Sequence, residues 1–146
     1  MSVTKQGEEV VAQVRKRYGA IAVEGTSCCG TAPACCGTTT ASRALGYGEM
    51  DLAAVPAEAD LGLGCGAPID HLKLQAGETV LDLGSGPGLD ALLAAKQVGP
   101  TGRVIGVDMA PQMLERARAT AARAGAAQVE FREGRLEAMP VEDASV

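Results

Sequence analysis

A glycine-rich turn, Gly84-Ser85-Gly86-Pro87-Gly88, joins an apolar segment to a helical pattern and leaves few folds open to this chain. Glycine adopts positive φ freely and adds no side chain, so a ligand can come close to the backbone of such a turn. We expect the backbone N–H groups of the turn, and the N-terminus of the next helix, to face that ligand. The turn therefore predicts a strand, a nucleotide-type loop and a helix in succession.

Apolar and helical segments alternate throughout the second half of the chain. Strands are predicted at Thr79–Leu83, Arg103–Asp108 and Val129–Arg132, the first of them buried, and helices at Ala91–Val98 and Pro111–Ala124. Gly99-Pro100 would stop the first helix, and Gly125 would cap the second. Strands that alternate with helices of this length indicate parallel βαβ units. The predicted fold class is α/β, with the first three strands of a Rossmann-like parallel sheet.

Two carboxylates indicate which ligand the turn accepts. Asp108 ends the second strand, about 20 residues after the glycines, where an acidic side chain accepts hydrogen bonds from ribose hydroxyls. Asp82 precedes the turn, where it would oppose a pyrophosphate and suit a cationic amino acid. The dinucleotide fingerprint also requires glycine where this chain has Leu89. The pattern favours S-adenosylmethionine over a nicotinamide dinucleotide.

The first 71 residues show no such alternation of apolar and helical segments. Residues 5–18 predict an amphipathic helix with Val10, Val11, Val14 and Tyr18 on one stripe. The composition of residues 19–42 predicts a long loop, and Glu49–Leu52 an acidic helical turn. Three glycines, at positions 62, 64 and 66, indicate a close approach of the backbone to another group. We divide the chain into an N-terminal helix and Cys-rich leader, residues 1–71, and a nucleotide-binding domain, residues 72–146.

Five cysteines are the chemically distinctive residues of the leader: Cys28-Cys29, Cys35-Cys36 and Cys65. Structural zinc usually requires two-residue to four-residue gaps between ligands, but this chain has no C-x-x-C and a single histidine, His71. Thiolates suit a soft, thiophilic centre such as a trivalent metalloid. They could equally supply electrons by closing a disulfide.

Composition excludes several classes of partner. The formal net charge is -5, and aromatic residues make up 2% of the chain, which disfavours nucleic acid. No apolar stretch approaches the roughly 18 residues of a membrane span, and the charged N-terminus lacks the apolar core of a signal peptide. We expect a cytoplasmic protein with neither nucleic acid nor membrane as a partner.

The stretches 82–88, 104–114 and 131–140 together resemble the first three motifs of class I methyltransferases. The resemblance implies S-adenosylmethionine as the cofactor, with the methionine moiety at the glycine turn, the ribose on Asp108 and the adenine flanked by Met109. The cofactor-binding residues it implies are Asp82, Gly84, Ser85, Gly86, Gly88, Asp108, Met109, Met113, Gly134 and Leu136.

The leader narrows this resemblance. Ser27-Cys-Cys-Gly30, Cys35-Cys-Gly37, Leu45-Gly-Tyr47 and Leu61-Gly-Leu-Gly-Cys65-Gly-Ala-Pro68 are similar, in order and spacing, to the leader of bacterial arsenite methyltransferases. The resemblance implies methyl transfer to As(III) or its thiol conjugates and a thiol reductant, thioredoxin or glutathione, with no metal cofactor required. Cys65 would be the redox cysteine and an arsenic ligand, paired with Cys35 or Cys36.

The chain departs from the family in two places. Ala67 occupies a position where asparagine is expected, and the chain ends at Val146, before the expected fourth strand. We expect an N-terminal fragment that is inactive alone, because the family's principal arsenic-binding cysteines lie further along the chain. Two alternatives stay open: a class I methyltransferase for another small molecule, and a non-catalytic, thiol-rich, metalloid-binding fragment.

Overall fold

The computed structural model describes residues 5–25 and 38–146. Both cysteine doublets lie outside these residues, so the predicted roles of Cys35 and Cys36 stay predictions. Within the described ranges the chain forms five helices and three strands, with two short 3₁₀ turns between them. None of these helices is long and apolar enough to cross a membrane.

Three parallel strands form one sheet in the order β1-β2-β3. They are β1 Thr79–Leu83, β2 Arg103–Asp108 and β3 Val129–Glu133, which confirms the predicted strands apart from one extra residue in β3. In the register of the sheet Leu83 lies beside Val107, and Asp108 beside Glu133. The carboxyl ends of the strands therefore meet at one edge, where α/β folds bind ligands.

The strands differ in burial. β2 lies in the centre and is buried from Val104 to Val107, whereas every residue of β1 is partly or largely exposed. Leu83 is 50% exposed. The expectation of a buried first strand is wrong, because β1 pairs with β2 on one side and no other described strand lies beside it.

Two crossover helices cover the sheet, α4 Leu89–Val98 and α5 Pro111–Ala124. α4 begins two residues earlier than predicted, because Gly88 takes a left-handed conformation (φ 92°) directly before it. Gly125, at φ 65°, caps α5 as predicted, and its N–H donates to the carbonyls at the end of that helix. Apolar side chains of both helices form one cluster with Val104 and Phe131 of the sheet.

The leader is more helical than its composition predicts. Its helices are α1 Lys5–Glu24, α2 Thr38–Ala44 and α3 Glu49–Ala54, followed by 3₁₀ turns at Ala57–Ala59 and Pro68–His71. The acidic turn at residues 49–52 is confirmed as the start of α3. The loop predicted over residues 19–42 is wrong at both ends, which belong to α1 and α2.

α1 attaches to the domain by its C-terminal end. Ile21 and Ala22 are buried beside Ala110 and Met113, whereas Val10, predicted to lie on the buried stripe, is 55% exposed. Further along the leader, apolar side chains from residues 47–69 join the main core cluster. The two segments therefore share one core, and the division at residue 71 stays a prediction about organisation.

Candidate functional site

A cavity of about 530 Å³ opens at the carboxyl edge of the sheet. Its floor is the end of β1 and the glycine turn, one wall is the end of β2 with residues 109–113, and another is the segment 134–137. The leader closes the cavity with residues of α1 and of the stretch 59–68, together with Tyr47. Both halves of the chain thus line the same space.

The glycine turn is held in shape by its own backbone. The N–H groups of Gly84 and Ser85 donate to the Val107 carbonyl at 2.8 and 3.0 Å, and the N–H of Gly88 donates to Ser85 at 2.9 Å. Pro87 has no N–H to offer. The expectation that these N–H groups face a ligand is wrong, because two of them fasten the turn to the end of β2 and the third closes the turn on itself.

Asp108 completes this closure. Its Oδ2 accepts the N–H of Gly86 at 2.9 Å, and its Oδ1 accepts the N–H of Ala110 at 2.8 Å. The carboxylate is fixed in place, and each oxygen keeps a lone pair for a further donor. With every N–H from Gly84 to Gly88 engaged, the backbone of the turn has no donor left for a phosphate. The site is therefore suited to hydroxyl and cationic groups.

Asp82 is the most perturbed carboxyl group in the cavity. Burial, followed by the charges of Asp90 and Asp108, raises its pKa from 3.8 to about 7, and a hydrogen bond from the Ala91 backbone N–H lowers it in part. Its Oδ2 is buried without a hydrogen-bond partner among the described residues. A buried, unpaired carboxylate oxygen of this kind matches an incoming ammonium group.

Tyr47 and Asp90 form a second polar pair beside it. The Tyr47 hydroxyl donates to Asp90 Oδ1 at 3.0 Å and to Oδ2 at 2.9 Å. Burial raises the pKa of Asp90, and this hydrogen bond opposes that shift. Burial and the Asp90 charge also raise the pKa of Tyr47, so the phenol stays protonated as a donor.

Cys65 lies on the leader turn that faces the glycine loop. Its thiol is free and exposed, and the residue lines the cavity. The preceding Gly64 lies against the ring of Tyr47, where a Cβ would come within 2.8 Å of the ring and its hydroxyl. The predicted close approach of this glycine-rich backbone is therefore an approach to Tyr47. Ala67, on the same turn, takes the left-handed conformation (φ 32°) that asparagine adopts more readily.

Charge in the cavity is strongly unbalanced. Five carboxyl groups line it, those of Asp60, Asp82, Asp90, Asp108 and Glu137, against the single guanidinium of Arg135. Asp60 is buried and accepts hydrogen bonds from Ser42 and from the Gly62 backbone. Arg135 pairs with Glu8 and Glu137. In the part of the chain that the structure describes, no cluster of three or more histidine, cysteine or acidic side chains could hold a metal ion.

The structure brings most of the sequence-predicted site residues into this one cavity. Those that line it are Cys65, Asp82, Gly84, Ser85, Gly86, Asp108, Met109, Met113, Gly134 and Leu136. Gly88 lies behind the turn, where a Cβ would meet the ring of Phe131 at 2.9 Å. Further polar residues line the cavity and are absent from the sequence-based prediction, among them Tyr47, Asp60, Asp90 and Arg135. Asp90 carried a signal, because it lies two residues after the glycine turn.

S-adenosylmethionine fits these residues. Apart from its chain neighbours, no described residue has an atom within 4 Å of the position that a Cβ of Gly84 would take, so the backbone is open to a ligand there. Among the residues that the structure describes, buried Ser85 Oγ and Asp82 Oδ2 have no hydrogen-bond partner, and Asp108 is fixed in a position to accept hydrogen bonds from hydroxyl groups. The donor set is carboxylate and hydroxyl, which matches an ammonium group and a ribose.

Comparisons with known proteins agree with this geometry. A family described as a methyltransferase domain matches residues 74–146. An arsenite methyltransferase of Halobacterium salinarum is 47% identical over an alignment that covers 100% of this chain and 40% of that protein. An arsenite methyltransferase of Aquipseudomonas alcaligenes is 46% identical over 51% of this chain and 22% of its own length.

A solved structure shows the same fold. The crystal structure of a SAM-dependent methyltransferase from Aquifex aeolicus superposes with a TM-score of 0.52 at 22% identity, over 77% of this chain and 54% of that one. The Rossmann-like sheet with its crossover helices is therefore the fold of class I methyltransferases, as predicted. The chain spans less than half the length of the two arsenite methyltransferases that it matches.

Proposed function

The chain belongs to the methyltransferase-domain family, and on that premise we propose that it binds S-adenosylmethionine and methylates trivalent arsenic as part of an arsenite methyltransferase. One observation carries the proposal: a free thiol, Cys65, lies in the same cavity as a turn and carboxylates suited to a sulfonium nucleoside. Similarity to an arsenite methyltransferase across the whole chain, leader included, supports the substrate. Detoxification of arsenic in the cytoplasm is the corresponding biological role.

Each part of the cavity has a task in this proposal. Asp82 would receive the ammonium group of the cofactor, Asp108 the ribose hydroxyls, and Met109 and Leu136 would flank the adenine. When bound, S-adenosylmethionine supplies an activated methyl group. The chain contributes position: the prefolded turn holds the cofactor, and the leader brings the thiol-bound metalloid to the same cavity.

The arsenic chemistry requires thiols and no general base. The lone pair of As(III) would form the bond to the methyl carbon as the carbon–sulfur bond of the cofactor breaks, which oxidises arsenic to As(V). Two cysteine thiols would return two electrons by forming a disulfide and releasing two protons. We assign one of these thiols to Cys65 and the other to Cys35 or Cys36, with thioredoxin or glutathione regenerating the pair.

The test is a methylation assay on the complete protein, with arsenite titrated against wild type and the Cys65→Ser variant. We expect methylated arsenicals from wild type and a loss of at least about 100-fold in the variant, since serine is neither a soft ligand nor a two-electron reductant. Cofactor affinity, measured by calorimetry, should be unchanged in Cys65→Ser. A protein that binds S-adenosylmethionine and is inert with arsenite would refute the substrate. Methylation of an organic acceptor without arsenite would establish the alternative methyltransferase instead.

A further inference from the structure

We propose that Tyr47 is a positioning residue that joins the leader turn carrying Cys65 to Asp90, whose charge acts on Asp82, the residue that would receive the cofactor's ammonium group. The inference rests on the proposed function and adds a residue to it. Tyr47 is 3% exposed and sits on the connection between α2 and α3, far from the glycine turn in sequence. Its side chain nevertheless contacts both parts of the site.

The hydroxyl end of Tyr47 acts on Asp90. Distances of 3.0 and 2.9 Å to the two carboxylate oxygens place one donor between them, which fixes the rotation of the carboxylate. Asp90 lies in the first turn of α4, directly after the glycine turn. A hydrogen bond to a charged acceptor is stronger than one between neutral groups, so this contact stabilises the ionised form of Asp90.

The ring of Tyr47 acts on the thiol turn. It fills the space beside Gly64, where any β-carbon would lie within 2.8 Å of the ring. Gly64 directly precedes Cys65, so the backbone that carries the thiol rests on the same side chain that holds Asp90. Displacement of the ring would therefore move the thiol turn and release the carboxylate together.

The hydrogen bond between Tyr47 and Asp90 influences Asp82 through the charge of Asp90. The groups that act on Asp82 are the Asp90 and Asp108 carboxylates and the Ala91 backbone N–H, while those that act on Tyr47 are Asp90, Asp82 and Cys65. Without the hydroxyl, Asp90 loses the bond that favours its ionised form, and the Asp82–Asp90 pair keeps its last proton to a higher pH. An ammonium ligand must displace that proton in order to bind.

The experiment compares Tyr47→Phe with wild type in the complete protein by calorimetric titration from pH 6 to pH 9. S-adenosylhomocysteine, which carries the ammonium group, and 5′-methylthioadenosine, which lacks the amino-acid part, are the two ligands. We expect Tyr47→Phe to lower the affinity for S-adenosylhomocysteine roughly 10-fold at neutral pH. The affinity for 5′-methylthioadenosine should be unchanged, and the pH midpoint of S-adenosylhomocysteine binding should move upward.

Two further variants sharpen the test. Asp90→Asn removes the charge that raises the pKa of Asp82, so its midpoint should move downward, and this variant carries the test if Tyr47→Phe does not fold. Thr120→Val is the matched control. It removes a buried hydroxyl that donates to the Arg116 carbonyl at 2.8 Å, outside the cavity, and should leave both affinities and the midpoint unchanged.

The outcomes separate the inference from the function on which it rests. Equal losses for both ligands in Tyr47→Phe, with an unmoved midpoint, would reduce Tyr47 to a structural residue and overturn the inference alone. An unmoved midpoint in Asp90→Asn would overturn it as well. A wild-type protein that binds neither ligand would refute the proposed function and the inference with it.

Discussion

The sheet domain and the leader line one cavity, but different forces hold them in place. Residues 79–133 form a hydrogen-bonded parallel sheet whose central strand is buried under two helices. Within the described residues, the leader consists of the 20-residue helix α1, two shorter helices and two 3₁₀ turns, and it contacts the domain through a few buried side chains and through exposed ion pairs. The sheet domain is therefore held by continuous backbone pairing around a buried strand, whereas the leader depends on a smaller number of side-chain contacts.

Two of those contacts tie α1 to the end of β3 and the segment after it. Arg15 pairs with Glu133 at 2.7 Å, and Glu8 pairs with Arg135 at 3.1 Å. All four side chains are partly exposed, so solvent and salt weaken these pairs. These two pairs therefore stabilise the position of α1 only weakly, and its main attachment is the apolar packing of Ile21 and Ala22.

The largest expected effect compares one substitution in the two regions. Gly106→Ala places a β-carbon about 2.6 Å from the Phe131 ring in the centre of the sheet, whereas Gly64→Ala meets Tyr47 in the leader. We expect a loss of about 3 kcal/mol of unfolding free energy for Gly106→Ala and about 1 kcal/mol for Gly64→Ala, since the leader can shift. Urea unfolding measures both. Equal losses would show that the leader is as rigid as the sheet.

Asp82→Asn should raise the stability of the sheet domain and abolish the function of that domain. Because the folded-state pKa of Asp82 lies above its ordinary value of 3.8, wild type holds a proton that the unfolded chain loses, and its stability falls as the pH rises from about 4 to about 7. The variant lacks this slope. At pH 8 it should exceed wild type by roughly 1–3 kcal/mol and bind S-adenosylhomocysteine far more weakly. A variant whose stability equals that of wild type at both pH 5 and pH 8 would contradict the shifted pKa of Asp82.

A smaller effect concerns wild type alone. Since the pKa of Asp82 is about 7 and the ammonium group requires its ionised form, affinity for S-adenosylmethionine should rise with pH through that value. Below it we expect up to about a tenfold loss for each pH unit, which calorimetry in a buffer series can follow. An affinity that is flat from pH 5.5 to pH 8 would assign the ammonium group to another partner.

The smallest effect concerns the ion pairs of α1. The double variant Glu8→Gln, Arg15→Gln should lose less than about 1 kcal/mol of stability. Its ligand dissociation should be a few times faster in stopped-flow measurements, and high salt should bring wild type close to the variant. Unchanged dissociation kinetics would show that α1 does not cover the bound ligand.

The strands and helices of the sheet domain could be predicted from the sequence because their residues follow local conformational preferences. β1, β2 and α5 begin and end as predicted, and Gly125 caps α5 by its own conformation. What local patterns could not supply was burial. The exposure of Leu83 depends on which strands lie beside β1, and a run of apolar letters does not contain that information.

The helices and site residues of the leader were harder to predict from the sequence, because tertiary contacts override local conformational preference there. Composition predicts that a loop starts at Gly19, yet this residue lies inside α1, where the absence of a side chain makes room for Gln112 of α5. The threonine run at positions 38–40 has weak helical propensity and still begins α2. Local sequence patterns do not mark Tyr47 and Asp60 as site residues, because only the folded chain brings them into one cavity with Asp90 and the glycine turn.

The closed glycine turn has a consequence for a cell in which adenine nucleotides are far more abundant than most cofactors. ATP shares its adenosine with S-adenosylmethionine, but its phosphates would meet the carboxyl group of Asp82 and amides that already donate to Val107 and Asp108. The engaged backbone of the turn and the carboxyl group of Asp82 therefore both disfavour the phosphates of such nucleotides. The backbone hydrogen bonds that shape the turn in the absence of a ligand therefore also disfavour the binding of adenine nucleotides.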